Sequence, residues 1–150
     1  MVMPAIIEYP DIEERTELKT ITFTGAAGLG AVGYVPLFTV TGDILLRYLL
    51  AWCSTTLTEA LATATIALGL AGATTFFNAA TTATDLVGGD FWYDATPTET
   101  IALAVPSGFK DIHVRANIVG TVAAQAVNGG VLNFYAVWRR VSSNGLLVPA

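Results

Sequence analysis

The chain has 150 residues, of which 53% are apolar and only 13% charged, about half the usual charged share. A net charge of -5 with seven Lys and Arg in all excludes nucleic acid as the main partner, because phosphate binding needs clustered bases. A single cysteine (Cys53) and a single histidine (His113) exclude an internal disulfide framework and any metal centre built on several of either, and the apolar content excludes a disordered chain.

Residues 1–18 differ from the rest. Glu8, Asp11, Glu13, Glu14 and Glu17 stand against Arg15 alone, and Pro4 and Pro10 disfavour a helix over the first ten residues. Two readings stay open, a frayed terminus and an extended arm whose apolar handles Ile6, Ile7 and Tyr9 lie on a neighbouring subunit. Asp11–Leu18 is predicted to form a helical turn or two. The opening has neither a basic segment nor a long apolar run, so no signal peptide is expected and synthesis is expected in the cytoplasm.

Residues 19–150 read as one β-sandwich domain. Thr20, Thr22 and Thr24 alternate with Ile21 and Phe23. Val35–Thr41 contains Pro36 and reads as an edge strand or a strand start. In Asp43–Cys53 strand alternation puts Ile44, Leu46, Tyr48, Leu50 and Trp52 on one face and Leu45, Arg47, Leu49, Ala51 and Cys53 on the other. Thr63–Leu70 alternates again, and Thr74–Asn78 is a short strand. Gly88–Asp90 is a loop before Phe91–Tyr93, and Thr98–Val105 is a strand that ends at the Pro106–Gly108 turn. Asp111–Val119 is a strand. Asn128–Gly130 turns into Val131–Val141, where Leu132, Phe134, Ala136 and Trp138 oppose Asn133, Tyr135, Val137 and Arg139. Ser143–Gly145 turns into a last strand, Leu146–Val148.

Short strands separated by turns at this spacing predict an all-β sandwich of jelly-roll type, with a small closed barrel as the alternative. Three stretches lack charge altogether: Thr20–Gly42, Ala60–Thr84 and Ala116–Trp138. Each is long enough to span a membrane as a helix. Threonines, Asn78, Pro36, five glycines in the first stretch and Gly129–Gly130 argue against that, so no membrane partner is expected. Strands apolar on both faces instead predict burial against copies of the chain, with a homotrimer favoured by analogy to jelly rolls.

No motif carries catalysis. Gly28-Leu-Gly30-Ala-Val-Gly33 matches a dinucleotide fingerprint, but Tyr34–Phe38 cannot open the required helix, so a tight loop is expected and no cofactor. The Thr-x-Thr pairs are unevenly spaced and build no repeat. His113 lacks a recognisable nucleophile motif and Cys53 reads as a core residue, so the chain is read as no enzyme. Asp85, Asp90 and Asp94 lack a calcium-loop spacing, and no metal is expected. Trp92, Tyr93, Tyr135 and Trp138 are either a sugar-stacking surface or aromatics of the core or a subunit interface. Arg139 and Arg140 suit an inter-subunit ion pair or plain solvation.

KTITFTGAAGLGAVGYVPLFTVTGDILLRYLLAWC, FWYDATPTETIALAV and LNFYAVWRRVSSNGLLVPA resemble small β-rich virion proteins encoded among the structural genes of tailed bacteriophages, over about Lys19–Ala150. The resemblance implies a capsid decoration or cement protein, located in the virion, that self-associates and binds the major capsid protein or other virion proteins. The alternatives are a tail or tail-tip component and a carbohydrate- or receptor-binding β module. The resemblance carries over no site, and residues 1–18 lie outside it; from the residues themselves, partner binding is expected at Ile6, Ile7, Tyr9, Trp92, Tyr93, Arg139 and Arg140.

Overall fold

The computed structural model describes residues 13–150. Ile6, Ile7 and Tyr9 lie outside the described residues. Along the described chain run β1 (Arg15–Thr22), β2 (Gly33–Thr41), β3 (Ile44–Glu59), β4 (Thr65–Leu70), β5 (Ala73–Thr82), β6 (Asp90–Phe91), β7 (Thr98–Glu99), β8 (Lys110–Val114), β9 (Ile118–Ala123), β10 (Val127–Arg140) and β11 (Leu146–Pro149). They form two antiparallel sheets that do not close into a barrel, which removes the barrel alternative. No helix among the described residues is long and apolar enough to cross a membrane.

The pairing is nested. β1 pairs with β10, β2 with β9, β3 with β8 and β4 with β5. The chain is thus one long hairpin folded over itself, its paired segments placed alternately in the two sheets. Contacts β10–β3 and β9–β4 join the segments, so one sheet runs β1-β10-β3 with β8 and β6-β7 beyond, and the other runs β11-β2-β9-β4-β5. This is the jelly-roll order. Alternation drives it: Leu132, Phe134, Ala136 and Trp138 of β10 turn inward to meet Phe38, Ile66, Leu68, Ile118 and Val122 of the other sheet in one apolar core.

Several local expectations are corrected. No helical turn forms before Leu18 among the described residues, and β1 begins at Arg15, earlier than the expected Lys19. Charges alternate there at strand spacing, and the Arg15 guanidinium sits 5.6 Å over the Trp138 ring. β2 is no edge strand, since it lies between β11 and β9. Pro36 is tolerated because the β11 ladder reaches only to Phe38 and the β9 register shifts just after Pro36. Asn128–Gly130 is no turn but the bulged start of β10, where a Cβ on Gly130 would collide with the Thr56 carbonyl and the Leu57 backbone. The expected strand 111–119 breaks at 115–117, where the chain crosses from one sheet to the other and the Asn117 side chain accepts from Val40 N (2.9 Å). Only Thr98 and Glu99 of the expected strand 98–105 are paired.

The glycine motif is the tight loop between β1 and β2. Gly30 has φ +117°, and any side chain there would overlap the Val127 carbonyl, while its own carbonyl accepts from Val127 N at 2.8 Å. The loop therefore docks on β10, and no helix follows it.

Candidate interaction surfaces

The outer face of the five-stranded sheet is built from the residues left over when the core takes its share. β2 turns Tyr34, Pro36, Thr39 and Thr41 outward, β9 Val119, Thr121 and Ala123, β4 Thr65, Ala67 and Gly69, and β11 Leu146 and Val148. Register lines up Tyr34–Thr121–Ala67, Pro36–Val119–Gly69 and Thr39–Val148. Strands β11, β2, β9, β4 and β5 contain no Asp, Glu, Lys, Arg or His. Among the described residues every charged strand residue lies in the other sheet, from Arg15 in β1 to Arg140 in β10. Solvated sheet faces normally carry charge, and loss of charge is the compositional mark of an interface centre. Here Tyr34 remains 51% exposed, and Leu146 and Val148 are also in water.

The outer face of the six-stranded sheet is different. Strict alternation along β3 fails at Arg47. Tyr48 pairs with Val137 and Leu46 with Trp138, so Arg47 is an extra residue, a bulge that reverses the faces beyond it. Ile44 and Leu46 are buried before it, and Leu49, Ala51 and Cys53 after it. Tyr48, Leu50 and Trp52 are thereby turned outward, half-buried beside Tyr135, with the Tyr48 and Tyr135 ring centres 6.5 Å apart. Leu18, opposite Tyr135, is exposed. Sequence reasoning missed Tyr48 and Trp52; the one signal was an arginine set within an otherwise apolar run.

One end of this face is ionic. The Glu14 carboxylate accepts from Arg47 Nε (2.9 Å) and Arg139 Nη2 (3.1 Å), and Arg47 also donates to Asp111. Arg139 thus makes an ion pair within its own chain, and Arg140 donates to the Gly145 carbonyl (3.1 Å). Hydrogen bonds from Arg47, then Arg139, hold the Glu14 carboxyl below its ordinary value. A lowered folded-state pKa contributes stability above the unfolded value that is lost as pH falls through the lowered one. Glu14→Gln is therefore expected to melt below wild type near neutral pH, with the gap closing on acidification below the usual carboxylate range and shrinking in high salt. Thermal melts at several pH values check it, and a gap that is constant in pH would contradict the ion-pair account.

The remaining predicted residues are mostly withdrawn from the surface. Trp92 and Trp138 are fully buried, so neither offers a ring to a sugar or a partner, and the partner-binding expectation for Trp92 is corrected. Trp92 Nε1 donates to Thr81 Oγ1 (2.9 Å), its carbonyl accepts from Asn78 Nδ2 (2.9 Å), and its ring meets Phe134 edge-on. Tyr93 is half-buried between Phe91 and Phe109, and burial pushes its phenol up to about 12. His113 Nε2 lies 2.9 Å from Asp43 Oδ1, which also binds Arg115 (3.0 Å). The Asp43 main chain holds Val141 and Ser142, so this trio ties β8 to two turns. Asp90 accepts from Val87 N and Asp94 from Thr96 N, each serving its own turn, and no group of three metal-ligating side chains occurs among the described residues.

Cys53 is fully buried, and desolvation pushes its thiol up to about 11. Native chain is expected to resist a thiol reagent at mildly alkaline pH and to label stoichiometrically only in denaturant. Rapid native labelling would contradict the burial of β3.

No protein-family model, no curated protein and no solved structure matches this chain.

Proposed function

We propose that this chain is a non-enzymatic structural protein of a tailed-bacteriophage particle, a capsid decoration protein that self-associates, as a trimer, and lays the outer face of its five-stranded sheet on the shell lattice. One observation carries the reading: a five-stranded sheet without a single charged residue, on a domain whose strand charges all stand on the opposite sheet. Such a face gains by losing water and has no charge to desolvate when it does so. The sequence resemblance supplies the setting. Cryo-electron microscopy of intact particles tests it. Density outside the shell with the five-stranded sheet facing inward is expected; absence of the chain from the particle, or contact through the ionic face, overturns it. Density in the tail would move the same surface to the alternative, a tail component.

A second reading has its own observation. Tyr48, Trp52 and Tyr135 share the outer face of the six-stranded sheet with the Asn133 amide, which donates to Ser54 Oγ at 2.9 Å. Aromatic rings beside amides and hydroxyls suit a carbohydrate. Glycan-array binding lost in Trp52→Ala favours this module, and no binding removes it.

A further inference from the structure

Thr100–Val105, TIALAV, has the pattern of a strand, with Ile101, Leu103 and Val105 on one side and Ala102 and Ala104 on the other. In the fold it pairs with no strand among the described residues, and its last residue, Val105, packs against the core of its own chain. β7 ends at Glu99, and from Thr100 to Val105 no main-chain N–H or C=O bonds another main-chain group among the described residues. The Thr100 hydroxyl donates to the Ala102 carbonyl, and no other hydrogen bond holds the stretch among the described residues. Ile101 is 105% exposed and Leu103 43%. Surface loops are normally built of Gly, Pro, Asn, Asp and Ser, which turn the chain and bind water. This one is alternating and apolar yet irregular, with a bend at Ile101, which is the sequence of a strand without the neighbour that would straighten it.

The chain also presents a strand edge lacking its neighbour. β5 is terminal in the five-stranded sheet, with β4 on one side and no strand of the described residues on the other. It is ten residues long, ATTFFNAATT, and carries neither charge nor proline. Those are two of the devices that usually keep a long edge from pairing with another chain; the third, the bulge, occurs in β5 where its register with β4 shifts between Ile66 and Leu68 and between Leu68 and Leu70. The other edges are guarded or short: β1 carries Arg15, Glu17 and Lys19, β8 carries Lys110, Asp111 and His113, β11 has four residues and ends in Pro149, and β7 has two. Phe76 on β5 is exposed as well.

We infer that Thr100–Val105 is a donor strand that adds to the free edge of β5 in a second copy of this chain, extending its five-stranded sheet by one. The inference rests on the self-association in the proposed function and names the segments that make it. Main-chain bonds supply the pairing, as in other edge additions, and Ile101 and Leu103 gain cover. Donor and acceptor are both uncharged, so pairing strips water from no ion. The added strand also continues the uncharged sheet.

Hydrogen exchange by mass spectrometry on the full chain, together with the double variant Ala102→Pro/Ala104→Pro and the single variant Phe76→Lys, tests it. The prolines remove two N–H donors from a stretch that makes no main-chain bond in its own chain, and near-UV circular dichroism checks that the fold is kept. In the wild-type oligomer, amides 101–105 are expected to exchange at least about tenfold slower than unstructured chain, and light scattering is expected to show both variants as monomers. Amides 101–105 exchanging at the unstructured rate in a wild-type oligomer would overturn the donor strand, as would proline variants that keep the oligomeric mass; self-association would then stand through another surface. A wild-type chain that stays monomeric at micromolar concentration would overturn both the donor strand and the self-association beneath it. If a variant misfolds, the wild-type exchange measurement decides alone.

Discussion

Trp92→Ala is expected to lower stability by about 4 kcal/mol, the largest loss of any single side chain considered, because it combines a cavity with a broken cross-sheet tie. Trp92 follows β6 in the six-stranded sheet, whereas its indole N–H and carbonyl bind Thr81 and Asn78 of β5 in the other. Removing the indole opens an unfilled space against Phe134 and leaves the Thr81 hydroxyl without its donor in the interior. For a domain of this length the loss corresponds to a fall in melting temperature of roughly 10–15 °C. Urea and thermal unfolding at fixed protein concentration measure it; concentration must be held because association adds to apparent stability. Trp52→Ala is the control. That ring is half-buried on the outer face, so its loss is expected to cost about 1–2 kcal/mol. Equal losses at the two positions would mean that the bulge at Arg47 does not divide β3 as described.

Thr39→Lys is expected to weaken attachment to the shell by about a hundredfold or more while leaving the fold intact. Thr39 is exposed, in the middle of β2 and beside Val148, so in the free chain the ammonium stays in water and costs within about 0.5 kcal/mol. Once that face is covered, the charge has no partner, since the strands of this sheet contain none, and burying it costs about 3–5 kcal/mol. That is a factor of roughly a hundred to a few thousand in affinity. Occupancy on purified particles reads it directly. Thr16→Lys provides the contrast, because Thr16 is exposed on the face that already holds Glu14, Arg47 and Arg139. Full occupancy with Thr39→Lys would show that this sheet faces solvent and would remove the proposed function.

Much of the architecture is written in local alternation. Ile21 and Phe23, and alternate residues Leu132, Phe134, Ala136 and Trp138, face inward as their spacing predicts, because a strand's side-chain period of two needs no knowledge of its neighbours. The absence of charge from Thr20–Gly42, Ala60–Thr84 and Ala116–Trp138 is equally plain in the sequence, but its meaning is not. β2 comes from the first stretch, β4 and β5 from the second and β9 from the third. Nested pairing gathers them into one sheet, turning three separate runs into one continuous face. That gathering depends on contacts between distant residues, such as Arg15 with Trp138 and Tyr34 with Thr121, which no local pattern encodes.

The candidate surface residues illustrate the same division. Sequence alone determined an all-β chain, too poor in charge to coat two sheets and without a catalytic motif. Only the tertiary structure decided that Trp92 and Trp138 are core, that Tyr48 and Trp52 are outside, that Arg139 answers Glu14 of its own chain, and that Thr100–Val105 stands unpaired. A single inserted residue, Arg47, accounts for the exchange of faces along β3, since one residue added to one strand of a pair turns every following side chain over. Whether a strand-patterned segment finds a neighbour depends on the edges available when the rest of the sheet is already paired, and that is a property of the assembled fold.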